Sequence, residues 1–360
     1  FNQYAQYHSE STNGGLIVPN QFFIKNSKQQ ANFNSYKFNT KRIVSTIFML
    51  GTSWKNQLFL DVTGRNDWSS SLVYSYGTGN FSYFYPSVSG SWIITETFKD
   101  QLPKWISFAK VRGSWAQVGN DTSPYYINSG YAVATYQRGD KKIYGMTIPE
   151  NMKSTDLKPE RKNAWEVGLD WRFIDNRIGL DVTYYKENTK NQIMTINVPW
   201  ESGVKEKLIN AGNIQNSGIE IALNTTPIKN KDWQWDLNLT YTSNRNKIVE
   251  LSPDVTSYIN LDGAANYGNY RIASVAKVGA DYGMLMSDSW IKTDEKTGKP
   301  VVGYTGNYRT IYYKRGGTVK EVGSMLPDFL GTLNTTLIWK NLSLYVLLDA
   351  RFGGYVASYN

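Results

Sequence analysis

The sequence predicts an all-β fold, a transmembrane antiparallel up-and-down β-barrel. Three observations predict it: a period of two in hydrophobicity, strands of membrane-spanning length, and short turns that trade places with long loops. The period is plainest over residues 161–190. Trp165, Val167, Leu169, Trp171 and Phe173 take every second position, with Glu166, Gly168, Asp170 and Arg172 between them. Ile178, Leu180, Val182 and Tyr184 then alternate with Gly179, Asp181, Thr183 and Tyr185. Successive side chains of a strand point to opposite faces, so this is a hairpin with one apolar face and one charged face, turned by Asp175-Asn176-Arg177. An apolar face fits either a protein core or hydrocarbon. The strands read as roughly 10 to 13 residues against about 5 to 6 in ordinary globular sheets. A tilted membrane-spanning strand needs roughly 9 to 11. Charges at mid-strand on the other face suit a wet lumen, which favours hydrocarbon on the first.

The same logic carries along the chain. Residues 1–41 are polar and aromatic, with Asn13-Gly14-Gly15, and read as an external loop or extended segment; the barrel wall is expected over 42–360. Residues 42–54 open the first hairpin and Lys55-Asn56-Gln57 turns the chain. Leu58, Leu60 and Val62 then oppose Asp61, Thr63 and Arg65, and 66–82 read as loop. Residues 83–94 and 107–118 are strands, the second with Phe108, Lys110, Arg112 and Ser114 on its polar side. Residues 119–160 are irregular, broken by Pro124, Gly130, Gly139, Gly145, Pro149 and Pro159. After the 161–190 hairpin, 191–212 read as loop. Residues 214–226 and 233–245 form a further hairpin, its second strand setting Trp233, Trp235, Leu237, Leu239 and Tyr241 against Gln234, Asp236, Asn238 and Thr240. From 247 to 328 the pattern weakens, with strand candidates at 281–292 and 308–314. Residues 329–339 and 342–352 make a final hairpin. Turns at 55–57, 175–177, 227–232 and 340–341 alternate with loops of roughly 15 to 40 residues, the asymmetry of outer-membrane barrels. Trp54, Trp165, Trp233 and Trp339 fall near strand ends, where interfacial girdles sit.

Composition narrows the function. Hydrophobic residues are 41% and the mean hydropathy is −0.46. No run approaches 18 consecutive apolar residues, which excludes a helical membrane protein but not a barrel, where only alternate residues face lipid. The absence of cysteine removes disulfides, thiolate catalysis and cysteine metal sites. Net charge is +9, from 39 basic and 30 acidic residues. The basic residues are spread thinly rather than gathered into one patch, so nucleic acid is not an expected partner; anionic outer-membrane lipid head groups or acidic ligands are. The chain begins Phe1-Asn2-Gln3-Tyr4 without a targeting segment, so an exported protein is expected to extend beyond it.

Catalysis finds little support. With one histidine, His8, and no cysteine, a Ser-His-Asp triad has one possible histidine and a His/Cys metal site has too few ligands, so neither a catalytic residue nor a cofactor is expected. Asp61, Glu166, Asp170, Asp181 and Asp236 resemble paired carboxylates for glycoside hydrolysis, but they alternate with apolar residues as a wet wall requires. Gly77-Thr78-Gly79-Asn80 lacks the Lys-Ser/Thr of a phosphate loop, and Asn238-Leu239-Thr240 lies inside a strand rather than at a glycosylation loop. The candidate ligand contacts are the loop aromatics Trp68, Tyr125, Tyr126 and Trp200, which can stack on sugar rings, and the lumen residues Arg65, Arg112 and Arg172, which can bond hydroxyls or carboxylates. Ion pairs with a plug would account for the arginines equally well.

Several strings resemble one family. Thr63-Gly64-Arg65-Asn66-Asp67-Trp68-Ser69-Ser70, Tyr83-Phe84-Tyr85-Pro86-Ser87-Val88-Ser89 and Trp115-Ala116-Gln117-Val118-Gly119-Asn120-Asp121 are similar to signatures of SusC/RagA TonB-dependent outer-membrane transporters. So are Leu157-Lys158-Pro159-Glu160-Arg161, Asn213-Ile214-Gln215-Asn216-Ser217-Gly218-Ile219-Glu220 and Trp339-Lys340-Asn341-Leu342-Ser343-Leu344. They follow the family's order. The resemblance implies a plugged barrel of about 22 strands, of which this chain supplies about half, without plug, TonB box or final strand. It also implies a cell outer-membrane location in a Gram-negative bacterium, energy from the TonB complex through a missing N-terminal segment, a SusD-like surface lipoprotein as lid, and oligosaccharide or peptide substrates. Lys314-Arg315-Gly316-Gly317 stands where many members carry an acidic, Gly-rich stretch. The competing readings are a passive outer-membrane porin, a non-transport outer-membrane barrel, and a soluble β-sandwich binding module.

Overall fold

The structure is a computed structural model that describes residues 2–147, 149–198, 200–252, 258–261, 265–267, 270–288, 290–304 and 311–356. Its strands are β1 (Asn2–Leu16), β2 (Ser27–Trp54), β3 (Leu58–Ser69), β4 (Ser82–Ile93), β5 (Ile106–Asn120), β6 (Ala132–Arg138) and β7 (Lys141–Thr147). β8 (Asn151–Lys153), β9 (Glu160–Phe173), β10 (Ile178–Asn197), β11 (Glu206–Lys229), β12 (Trp233–Glu250), β13 (Tyr258–Asn260) and β14 (Ala265–Tyr267) follow. The last are β15 (Tyr270–Lys277), β16 (Met284–Ser287), β17 (Val302–Tyr304), β18 (Ile311–Tyr313), β19 (Lys320–Ser324), β20 (Phe329–Trp339) and β21 (Leu342–Phe352).

The wall is a 12-stranded sheet in the order β1-β2-β3-β4-β5-β9-β10-β11-β12-β20-β21, with β8 joined to β11 off that path. Neighbours on the path pair antiparallel, and chain order equals spatial order once the loop strands are set aside. This is an up-and-down wall, and it is not closed on itself.

Register converts the period of two into two continuous faces. Leu169 pairs with Val182 on β10 and Val111 on β5, while Asp170 pairs with Asp181 and Lys110. A one-residue slip would exchange the faces, so register is strongly specified. Aromatics collect at both edges of the apolar face. Trp233 stacks on Trp339 at 5.6 Å at one edge; Trp165 tilts against Tyr184 at 5.4 Å near the other. From Leu58 to Trp68 the apolar face of β3 runs about 33 Å along the strand, or about 23 Å across at a 45° tilt, close to the height of a lipid-facing band.

Connections sort by end. At one end, 55–57, 174–177, 230–232 and 340–341 are tight. Lys55 and Asn56 both hold positive φ (50° and 56°), as a two-residue hairpin turn with the twist of its strands requires. The 94–105 connection, with the short helix α1 (Ile94–Thr97), is the longer exception at this end. The other end carries 17–26, 70–81, 121–159, 198–205 and 251–328. These long connections hold the small β6–β7 and β17–β18 hairpins and a second sheet, β13-β15-β16-β19 with β14.

The strands run further than periodicity predicts. Residues 2–16 and 27–41 are strands rather than loop, and β2 passes through position 41/42 without a break, so that boundary is corrected. β3 continues through Ser69, β10 through Asn197, and β11 starts at Glu206, which removes most of the expected loops at 66–82 and 191–212. Backbone hydrogen bonds to a neighbour extend a strand even where side chains stop alternating, because an unpaired backbone is costly. In the weak region, 281–292 holds only β16 plus a bridge at Ile291, with 289 outside the described residues. The 308–314 candidate reduces to β18, with 308–310 also outside them.

Candidate functional site

The polar face of the wall is a dense field of paired groups. Its centre is Arg112 on β5. Register places Gly168 of β9 between Arg112 and Thr183 of β10. The Arg112 side chain crosses Gly168 and reaches the third strand. Its Nη1 and Nη2 donate to Asp181 Oδ2 and Oδ1 at 2.8 and 2.9 Å, and Nη2 donates to Thr183 Oγ1 at 2.6 Å. Glu166 lies 3.8 Å from Nε. A Cβ on Gly168 would sit 2.6 Å from Arg112 Nε, so any other residue would block the crossing. The bidentate geometry is the strong form of an Arg–carboxylate contact. Tyr185 repeats the device one strand over: its ring passes above Gly218 of β11, and its hydroxyl donates to Asn244 Oδ1 of β12 at 3.1 Å.

Around these bridges the face is made of short polar contacts. Arg172 Nε and Nη2 donate to Asp170 at 3.3 and 3.2 Å, and the guanidinium lies 5.0 Å over the Phe108 ring. Lys162 pairs with Glu187, which also accepts from Asn216 Nδ2 at 3.1 Å. Asn246 donates to Asn216 at 2.7 Å, and Thr63 and Ser87 share a 2.6 Å bond. A recess of about 290 Å³ opens beside Arg112, lined by Asp61, Ser89, Ser91, Lys110, Ser114 and Glu166 among others.

Towards the long-loop end a second network forms. Arg65 donates through Nε to Asp67 Oδ1 at 2.7 Å and through Nη2 to Ser45 Oγ at 3.1 Å; Tyr85 also bonds Asp67. Asp121 gathers Lys41, Ser69 and Ser71, the last at 2.9 Å. Sequence reasoning passed over Asp67 and Asp121. Asp67 was detectable, since it shares the parity of Arg65 on an extended β3. Asp121 follows the end of β5, where no period marks it.

The long loops fold onto this end around two small cores. Tyr74, Ile127, Leu157 and Leu208 form one, with Ile193 against it; Ile214, Ile248, Leu251 and Ala276 form the other. The Tyr74 hydroxyl donates to Ser154 O and accepts from Leu157 N, both at 2.8 Å. Burial pushes that hydroxyl's pKa above its ordinary range, against the opposing effect of the Leu157 hydrogen bond. Lys153 bonds the Tyr126 carbonyl and lies 4.2 Å over its ring, and burial lowers the ammonium's pKa.

The seven residues expected to meet a ligand therefore separate. Arg65, Arg112 and Arg172 share the polar face, each already bonded to a carboxylate. Tyr125 and Tyr126 lie at the long-loop end, Tyr125 exposed at a positive φ of 61°. Trp200 lies at the same end, in the short turn Trp200–Ser202 between β10 and β11. Trp68 is corrected: it belongs to β3, not to a loop, and pairs with Val44 on the face of Leu58, Leu60 and Val62. The alternation simply continues past the point where it was taken to stop.

Comparison with known proteins agrees with this architecture. The family model described as TonB dependent receptor-like, beta-barrel matches residues 1–359. TonB-dependent receptor P26 of Formosa agariphila is 26% identical over 344 residues, covering 92% of this chain and 34% of that protein. TonB-dependent receptor SusC of Bacteroides thetaiotaomicron is 27% identical over 335 residues, covering 87% of this chain and 31% of that protein. The structure titled "Structure of the RagAB peptide transporter" superposes with a TM-score of 0.72 at 21% identity, covering 97% of this chain and 38% of that one. The chain thus spans about a third of the length of the curated relatives it matches. It belongs to the TonB-dependent receptor-like β-barrel family and is of the SusC/RagA type.

Proposed function

We propose that this chain forms part of the wall of an energy-coupled importer in the outer membrane of a Gram-negative bacterium. It takes up oligosaccharides or peptides, with a SusD-like surface lipoprotein as lid and the TonB complex as energy source. The observation that carries the reading is the two-faced wall of a family barrel: one face apolar and girdled by aromatics, the other lined with amides, hydroxyls and paired charges. Such a lining suits solutes rich in hydroxyl and amide groups. A solved relative titled a peptide transporter keeps peptides beside oligosaccharides as the substrate class. In this reading Tyr125, Tyr126 and Trp200 meet substrate or lid at the mouth. Arg65, Arg112 and Arg172 set the field of the lumen and bond a plug or passing substrate, with their carboxylate partners holding them in place.

The test is deletion of the gene, followed by growth on single glycans and on peptide mixtures as sole carbon source. Growth is expected to fail on one polymer class and to persist on the corresponding monomer. Removing TonB should reproduce the loss. Unchanged growth on every polymer rejects import, and uptake that survives without TonB marks a passive channel instead.

A further inference from the structure

The outward face of the wall does not stop at its aromatic edge. Past Tyr184 and Tyr241 it continues toward the long-loop end for three cross-strand rows. The first is Trp165–Lys186–Ser217–Arg245, the second Asn163–Asn188–Gln215–Lys247, the third Arg161–Lys190–Asn213–Glu250. A hydrogen bond of 2.9 Å from Asn188 to Asn213 confirms that these rows share a face. Strands about 4.8 Å apart and rows about 6.8 Å apart make a patch roughly 14 Å on each side. It holds five cations and one carboxylate, Glu250 at a far corner.

The two faces treat their cations differently at this height. Inward, Lys162 is paired with Glu187 and Lys41 with Asp121. Outward, none of Arg161, Lys186, Lys190, Arg245 and Lys247 has an ion-pair partner among the described residues. Five unpaired cations directly above hydrocarbon-facing aromatics call for an anion that arrives with acyl chains beneath it. We propose that this patch binds the phosphate groups of lipid head groups in the leaflet on the long-loop side. The proposal rests on the membrane orientation given above. Charge complementarity and continuity with the apolar band select a lipid over a soluble anion.

The test uses the full-length protein in detergent micelles, with native mass spectrometry counting retained lipid. The probes are bisphosphorylated lipid A, its dephosphorylated form, and inorganic phosphate. Wild type is expected to retain the phosphorylated lipid. R161Q/K186Q/K190Q/R245Q/K247Q should retain at least about tenfold less, since each basic residue near an anionic surface contributes up to roughly fivefold. The two proteins should hold the dephosphorylated form equally and weakly. Equal retention of phosphorylated lipid by wild type and variant overturns the proposal. So does equal binding of both lipids by wild type, or displacement of the lipid by inorganic phosphate at matched concentration. If the fivefold variant does not fold, K186Q/R245Q takes its place with an expected loss of at least about fivefold. Heat-modifiable gel mobility reports the folded barrel separately: its absence in wild type would undo the membrane reading, whereas its presence with unchanged lipid retention sinks only the patch.

Discussion

Leu169 in the wall and Ile248 at the mouth are both apolar residues on long strands, and they meet different surroundings. Leu169 is 37% exposed, flanked by Val111 and Val182, with nothing from this chain covering it. Ile248 is 0% exposed, covered by Leu251 and Ala276. The wall has its hydrogen-bond ladder satisfied strand by strand and leaves hydrocarbon to cover its apolar face. The mouth behaves as a small water-soluble protein, closing loops over buried side chains. A single chain thus addresses two solvents, and the division follows the end of the barrel rather than the position in the sequence.

Substitutions sharpen that contrast. Leu169→Arg puts a cation on the lipid face near mid-strand and should destabilise folding into bilayers by about 2–4 kcal/mol, read as the urea midpoint of folding into vesicles. A loss below about 0.5 kcal/mol would break the assignment of hydrocarbon to that face. Ile248→Val removes one buried methylene at the mouth and should cost about 1 kcal/mol. The change should appear in hydrogen exchange of β15 amides and leave the wall strands β3 and β4 untouched. Exchange that quickens throughout the wall would mean that mouth and wall are one cooperative unit. Asp170→Asn, one residue from Leu169 but on the wet face, should change the folding midpoint least. It loses a pair with Arg172, whose side chain is 49% exposed, and such pairs contribute at most about 1 kcal/mol.

The wall was readable because its signal is local. Each strand carries its own alternation, and the ten clearest segments all lie in the observed sheet. β1 and the first half of β2 were missed because Asn- and Gln-rich sequence has no apolar face to betray a strand. Trp68 shows a different failure, where the alternation was present but cut short at Arg65. At the mouth, little was readable. Tyr74, Leu157 and Leu208 are far apart in sequence and meet in one cluster only after the loops close.

From the sequence alone came the class of fold, the face each wall residue occupies, and which end carries the long loops. These follow from a two-residue period and from turn chemistry, which act over a few residues. Tertiary structure decided which charges neutralise one another. Arg112 and Asp181 are 69 positions apart and on strands that do not touch; they meet because register sets Gly168 between them. Register also lines up the outward cations of β9, β10 and β12 into one patch. Pairing across strands is a property of the assembled sheet, and no local stretch of the chain encodes it.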